Sequence, residues 1–94
     1  MTNMSRQGDT CIHPPCEPHS IAGPCSPNTF VNGIRAARNG LDWTIVHYFC
    51  LEPHVGACAG VRNVYVNGRC AQGIGDPCTC GSTIVGGSPN VWVP

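Results

Sequence analysis

One phrase occurs twice in this chain and opens a third time at its end. Asn28-Thr29-Phe30-Val31-Asn32-Gly33 recurs as Asn63-Val64-Tyr65-Val66-Asn67-Gly68, and Asn90-Val91-Trp92-Val93-Pro94 repeats its first half. Each internal copy is followed by a short stretch ending in Gly and Asp, Gly40-Leu41-Asp42 and then Gly75-Asp76, and the same ending stands near the N-terminus as Gly8-Asp9. The chain therefore reads as three repeats, two whole and one divided between the termini. A repeat of this kind constrains the fold before any residue-level argument, because each copy must build the same supersecondary unit.

That unit is a β-hairpin. Thr29-Phe30-Val31 and Val64-Tyr65-Val66 are β-branched and aromatic triplets suited to strands. Asn-Gly at 32–33 and 67–68 is the preferred pair for a two-residue type I′ turn. Return strands are expected at Ile34-Arg35-Ala36-Ala37-Arg38 and Arg69-Cys70-Ala71-Gln72. The third hairpin is expected to pair Val91-Trp92-Val93 with residues near Ser5-Arg6-Gln7, which would bring the termini together. The expectation is one small all-β domain over residues 1–94, with three hairpins in pseudo-three-fold symmetry. Phe30, Tyr65 and Trp92 hold equivalent positions and are expected to face the same way, into the core in the favoured reading or outward toward a partner.

Composition narrows the function. Gly and Pro number 12 and 9, too many for long helices. Five Arg, no Lys and five carboxylates give no net basic face for nucleic acid. No apolar run is long enough for a membrane-spanning helix, and the polar N-terminus does not read as a leader. The low charge hints that part of the surface is covered by a partner. Eight Cys would read as disulfides in a secreted chain; in a reducing compartment, Cys together with His reads as metal binding.

The chemistry-bearing residues avoid the repeats. All four His (His13, His19, His47 and His54) and seven of the eight Cys lie in the connectors 10–27, 43–62 and 77–89, with Cys70 alone on an expected strand. Chain geometry puts the connectors at the end of the hairpins away from the Asn-Gly turns. Imidazoles and thiols gathered there would suit a tetrahedral zinc, which would stabilise a domain of small core. Taken singly, each Cys fits a small buried hydrophobe equally well. Catalysis is not expected: no oriented nucleophile can be named, and Glu17 and Glu52 are the only candidate bases for an open zinc site. The run Ile45-Val46-His47-Tyr48-Phe49 reads as a short strand or a buried turn.

Ser26-Pro27-Asn28-Thr29-Phe30-Val31-Asn32-Gly33 followed by Arg35-Ala36-Ala37-Arg38 resembles the PAAR-repeat family. Asn63 to Asp76, Gly87-Ser88-Pro89-Asn90-Val91-Trp92-Val93, Gly8-Asp9-Thr10 and Cys80-Gly81-Ser82 are similar to the same pattern, so the resemblance covers nearly the whole chain. It implies a non-enzymatic, cone-shaped spike tip. Such a tip caps the trimeric β-helical central spike of a contractile injection machine, a bacteriophage tail baseplate or a type VI secretion system, and sharpens it for piercing an envelope. It also implies one structural zinc near the apex, held by three His and one Cys. Carried over by position, the ligands are His13, His47, His54 and Cys80.

Three departures stand out. Arg35 replaces the Pro of the family name, and Cys70-Ala71-Gln72 replaces the motif in the second copy. Pro14 follows His13 where the family often has Gly, so His19 competes with His13 for the first ligand place. The surplus Cys could serve in packing, a second metal or disulfides. The chain stops at the last repeat, without the effector extensions common in secretion-system members, which favours a phage tip. The competing expectations are a disulfide-stapled or zinc-bound small binding module, and a zinc-bound nucleic-acid module.

Overall fold

The computed structural model describes residues 2–13, 18–49 and 52–94, with backbone alone at 47–49 and 52–54. Cys16, Glu17 and Cys50, and the side chains of His47, Glu52 and His54, lie outside the described residues. The structure is all-β, and no helix occurs among the described residues. In chain order the strands are β1 (Thr2–Asn3), β2 (Thr10–Ile12), β3 (His19–Gly23), β4 (Phe30–Val31), β5 (Ile34–Arg35) and β6 (Trp43–Thr44). They continue as β7 (His47–Phe49), β8 (Glu52–His54), β9 (Tyr65–Val66), β10 (Arg69–Cys70), β11 (Thr83–Ile84) and β12 (Trp92–Val93).

The expected turns form. β4 pairs with β5 and β9 with β10, both antiparallel. Asn32 and Gly33 have φ of 54° and 76°, and Asn67 and Gly68 have 54° and 78°. Positive φ at both central residues is the type I′ requirement, which Asn tolerates and Gly meets without steric cost. The termini also pair, as expected, but in a different register. Thr2 lies opposite Val93 and Asn3 opposite Trp92, so the return strand precedes Ser5-Arg6-Gln7. The reason is that Met4 and Arg6 are used elsewhere. Isolated bridges join Met4 to Gly73, Arg6 to Ala36 and Arg38 to Ala71, so each strand pair runs into the next.

Alternation along these short strands decides what is buried. Val31, Val66 and Val93 pack with Met4, Ala36 and Ala71 in one apolar cluster, with Val64 and Val91 at its margin. The preceding residue of each strand then points away. Phe30, Tyr65 and Trp92 are 54, 64 and 51 % exposed, so the expectation of a buried aromatic triplet is corrected. The centre between the three pairs is lined by Val, Ala and one Met.

The connectors, whose sequence carries little periodicity, hold a four-stranded antiparallel sheet in the order β11-β2-β3-β6, and β7 pairs with β8. The run from Ile45 divides: Ile45 and Val46 are exposed, and His47 begins β7. A second core lies against the sheet, built from Cys11, Ile21, Cys25, Ala37, Cys58, Cys78 and Ile84. Four cysteines thus take the place of larger apolar side chains.

Three Arg–Asp forks tie the two regions together. Asp9 accepts from the amide of Arg6 and from its guanidinium. Asp42 does the same with Arg38, and is wholly buried. Asp76 accepts from the amide of Gly73, which has no side chain to complete the fork; Arg62 supplies the guanidinium instead, at 2.8 and 2.6 Å.

Candidate metal centre

Cys80 sits in the tight turn between Cys78 and β11. The Gly81 amide donates to the Cys78 carbonyl at 3.0 Å, and Gly81 has φ of +94°. The Cys80 Sγ lies 2.7 Å from the Ser82 Oγ, which in turn lies 2.8 Å from His19 Nε2. A serine hydroxyl therefore links the thiol of the third connector to a buried imidazole of the first. Ser82 was not singled out from sequence as a site residue; only its place in Cys80-Gly81-Ser82 marked it.

His13 reaches the same turn. It follows β2 directly, and its ring covers Gly81, with Nε2 only 3.4 Å from where a Cβ on that glycine would stand. The second connector arrives at Gly56, where a Cβ would fall 2.6 Å from the Cys80 Sγ and 2.7 Å from the Cys80 amide nitrogen. Gly56 is fixed in turn by Thr44, whose amide donates to its carbonyl at 2.8 Å and whose hydroxyl accepts from its amide at 3.1 Å. His54 stands two residues before Gly56, and the backbone register puts His47 directly opposite His54.

Around the turn at 80–82 the His13 ring lies against Gly81, and the Ser82 hydroxyl joins Cys80 to His19. His47 and His54 are cross-strand partners at the backbone level, on the hairpin that leads into Gly56. Among the described residues no three His, Cys, Asp or Glu side chains form a complete metal-binding group. The donor types present, imidazole and thiol, are those zinc takes in closed tetrahedral sites.

Cys11, Cys25 and Cys58 behave differently. Cys78 is hydrogen-bonded through its side chain to both Cys11 and Cys58, and these contacts together with burial push the Cys11 and Cys58 thiols far above their ordinary range. Burial, then Asp42, pushes Cys25 up to about 12. Such groups stay neutral and unreactive, as core residues do. No cleft of ligand-holding size occurs among the described residues.

The chain is an all-β domain of short strand pairs. Residues 20–86 match the family model described as PAAR motif, well over half of the chain, and the chain belongs to that family. The motif is known from spike-tip proteins of contractile injection systems, which are structural rather than enzymatic. No curated protein matches the chain.

Proposed function

We propose that this chain caps the trimeric β-helical central spike of a contractile injection machine as a single, zinc-stiffened tip. The observation that carries the reading is the cyclic linkage of the strand pairs. Met4–Gly73, Arg6–Ala36 and Arg38–Ala71 are the same bridge made three times, each joining one pair to another. The hydrogen bonds Met4 N to Val91 O, Ala36 N to Thr29 O and Ala71 N to Val64 O, at 2.8, 3.0 and 2.7 Å, repeat in the same way. One chain with three near-equivalent edges can meet three identical chains, each through a similar contact, which a chain without internal repetition cannot do.

Pseudo-three-fold symmetry and a cone follow in this reading. The Asn-Gly turns and the paired termini form the base, and the connectors form the point. The principal extents of 35 × 22 × 22 Å, one long axis and two equal short ones, support it. Paired hairpin edges at the base would be covered by the spike, removing open strand edges from solvent.

His13, His47, His54 and Cys80 would hold the metal, with His19 kept in its place by Ser82. When bound, the zinc would supply a fourfold crosslink between three connectors whose shared core is small and rich in cysteine. The chain's own residues do the rest. Gly81 lets the His13 ring approach the turn at 80–82, and Gly56 lets a backbone segment approach Cys80. The Arg–Asp forks resist axial load by fixing each Gly-Asp turn to its hairpin. No substrate is transformed; the work is mechanical, and the reading puts the protein at the spike tip of a phage tail baseplate, or of a type VI secretion system.

Co-expression with a trimeric β-helical spike protein, followed by purification through a tag on that protein, tests the proposal. Retention of this chain through size exclusion is expected. Elution as a free monomer would overturn the capping role.

A further inference from the structure

We propose that Cys58 and Cys78 form a disulfide when the chain folds in an oxidising medium, with Cys11 left as a buried free thiol. The proposal starts from backbone geometry. Cys58 and Cys78 are partners in an isolated antiparallel bridge. The bonds around it run from Ala59 N to Pro77 O and from Thr79 N to Ala57 O, both 2.9 Å, so the two cysteines are the non-hydrogen-bonded pair of the ladder. In such a pair the Cα atoms stand about 4.5 Å apart and the side chains approach most closely. That spacing falls inside the range a disulfide spans without moving the backbone.

The side chains meet as the backbone implies. Cys58 is hydrogen-bonded to Cys78, and both are buried in the same core cluster. Cys11 also touches Cys78, but its backbone partners are His19 and Ile84, so it reaches Cys78 through its side chain alone. Cys25 belongs to the same cluster, but its surroundings are set by Asp42 rather than by another thiol. Cys58 and Cys78 are both free thiols in this structure; a reducing compartment would keep such a pair open, and an oxidising one would let it close.

The chemistry is thiol–disulfide exchange with a small disulfide such as oxidised glutathione. One cysteine, as its thiolate, attacks a glutathione sulfur, forming a protein–glutathione mixed disulfide and expelling one glutathione thiolate. The second cysteine gives up its proton and attacks the protein sulfur of that mixed disulfide, expelling the second glutathione. Two protein thiols are oxidised and one glutathione disulfide is reduced to two thiols. In the folded chain both cysteines are nearly inaccessible to solvent, at 1 and 4 % exposure. The exchange accordingly belongs to folding, before the cluster closes.

The test refolds the full chain with zinc in a glutathione redox buffer, blocks residual thiols with an alkylating agent under denaturing conditions, and maps the tryptic peptides by mass spectrometry. Cleavage at Arg62 and Arg69 separates Cys58 from Cys78. A folded monomer with Cys58 linked to Cys78, and with Cys11 and Cys25 alkylated, is the expected result. Its melting temperature should exceed that of the reduced protein by roughly 10 °C, on the entropic account of a disulfide closing a short loop. A Cys11→Ala variant should retain the link, and a Cys58→Ala variant should lose both the link and the difference in melting temperature. Predominant Cys11–Cys78 linkage, mixed pairings, or a folded monomer with Cys11, Cys25, Cys58 and Cys78 all alkylated would overturn the proposal.

Discussion

Asp42→Asn should be the most damaging single-atom change in the molecule outside the metal centre. Asp42 is fully buried, and its two carboxylate oxygens accept four donors. Cys25 N and Arg38 Nη2 donate to Oδ1 at 2.7 and 3.0 Å, and Arg38 N and Nε donate to Oδ2 at 2.6 and 3.0 Å. An amide keeps one acceptor oxygen and turns an NH2 group toward the other two donors. It also leaves the Arg38 guanidinium, 7 % exposed, without its counter-charge. Breaking a buried pair in this way costs about 3–5 kcal/mol. At about 4–8 °C per kcal/mol for a domain of this size, the melting temperature should fall by roughly 12–40 °C. The control is Asp9→Asn. Its fork to Arg6 has three donors and is more open to water, with 14 and 12 % exposure, so about 1–3 kcal/mol is expected. Calorimetry on both variants in parallel decides the matter. If Asp42→Asn is no more destabilising than Asp9→Asn, burial of the fork does not set its worth and the reasoning fails.

Three further outcomes follow from the same structure. Gly56→Ala would drive a Cβ to 2.6 Å from the Cys80 Sγ and 2.7 Å from its backbone nitrogen; the second clash cannot be relieved by a side-chain rotation, so the variant should bind less zinc by elemental analysis and melt lower. Alkaline pH should unfold the reduced protein. Cys25 is raised from 9.0 to about 12 and Cys58 is raised as well, so the unfolded chain releases these protons first, and stability present below pH 9 should decline progressively toward pH 12, followed by circular dichroism. Purified protein should carry about one zinc per chain, and chelation should lower its melting temperature without abolishing the Asn-Gly hairpins, whose turns and valine cluster stand apart from the metal centre.

The hairpins were legible because their signal is local. Asn32-Gly33 and Asn67-Gly68 impose positive φ whatever surrounds them, and the split third pair followed from repetition alone. Its register was not legible. Met4 and Arg6 are drawn into bridges with Gly73 and Ala36, contacts with residues far along the chain that no local pattern announces. The aromatic positions were misjudged for a related reason. Aromatic side chains usually mark a core, but here the space between the hairpins takes only Val, Ala and Met, and strand alternation then sends Phe30, Tyr65 and Trp92 outward. The connector sheet escaped notice because its strands are two to five residues long and each buries only one or two side chains. At the candidate centre, the residue types and connectors could be read from sequence. The Ser82 hydroxyl between His19 and Cys80 could not, since it depends on pairing between the first and third connectors.

The central claim is that one chain, by repeating its hairpin, closes the end of a three-chain spike. Native mass spectrometry of the complex with a trimeric β-helical spike protein tests it directly. A complex of three spike chains with one copy of this chain and one zinc is predicted. Three copies per trimer would mean that each hairpin set serves a single spike chain and that the internal repetition has another purpose; the absence of any complex would contradict the account altogether.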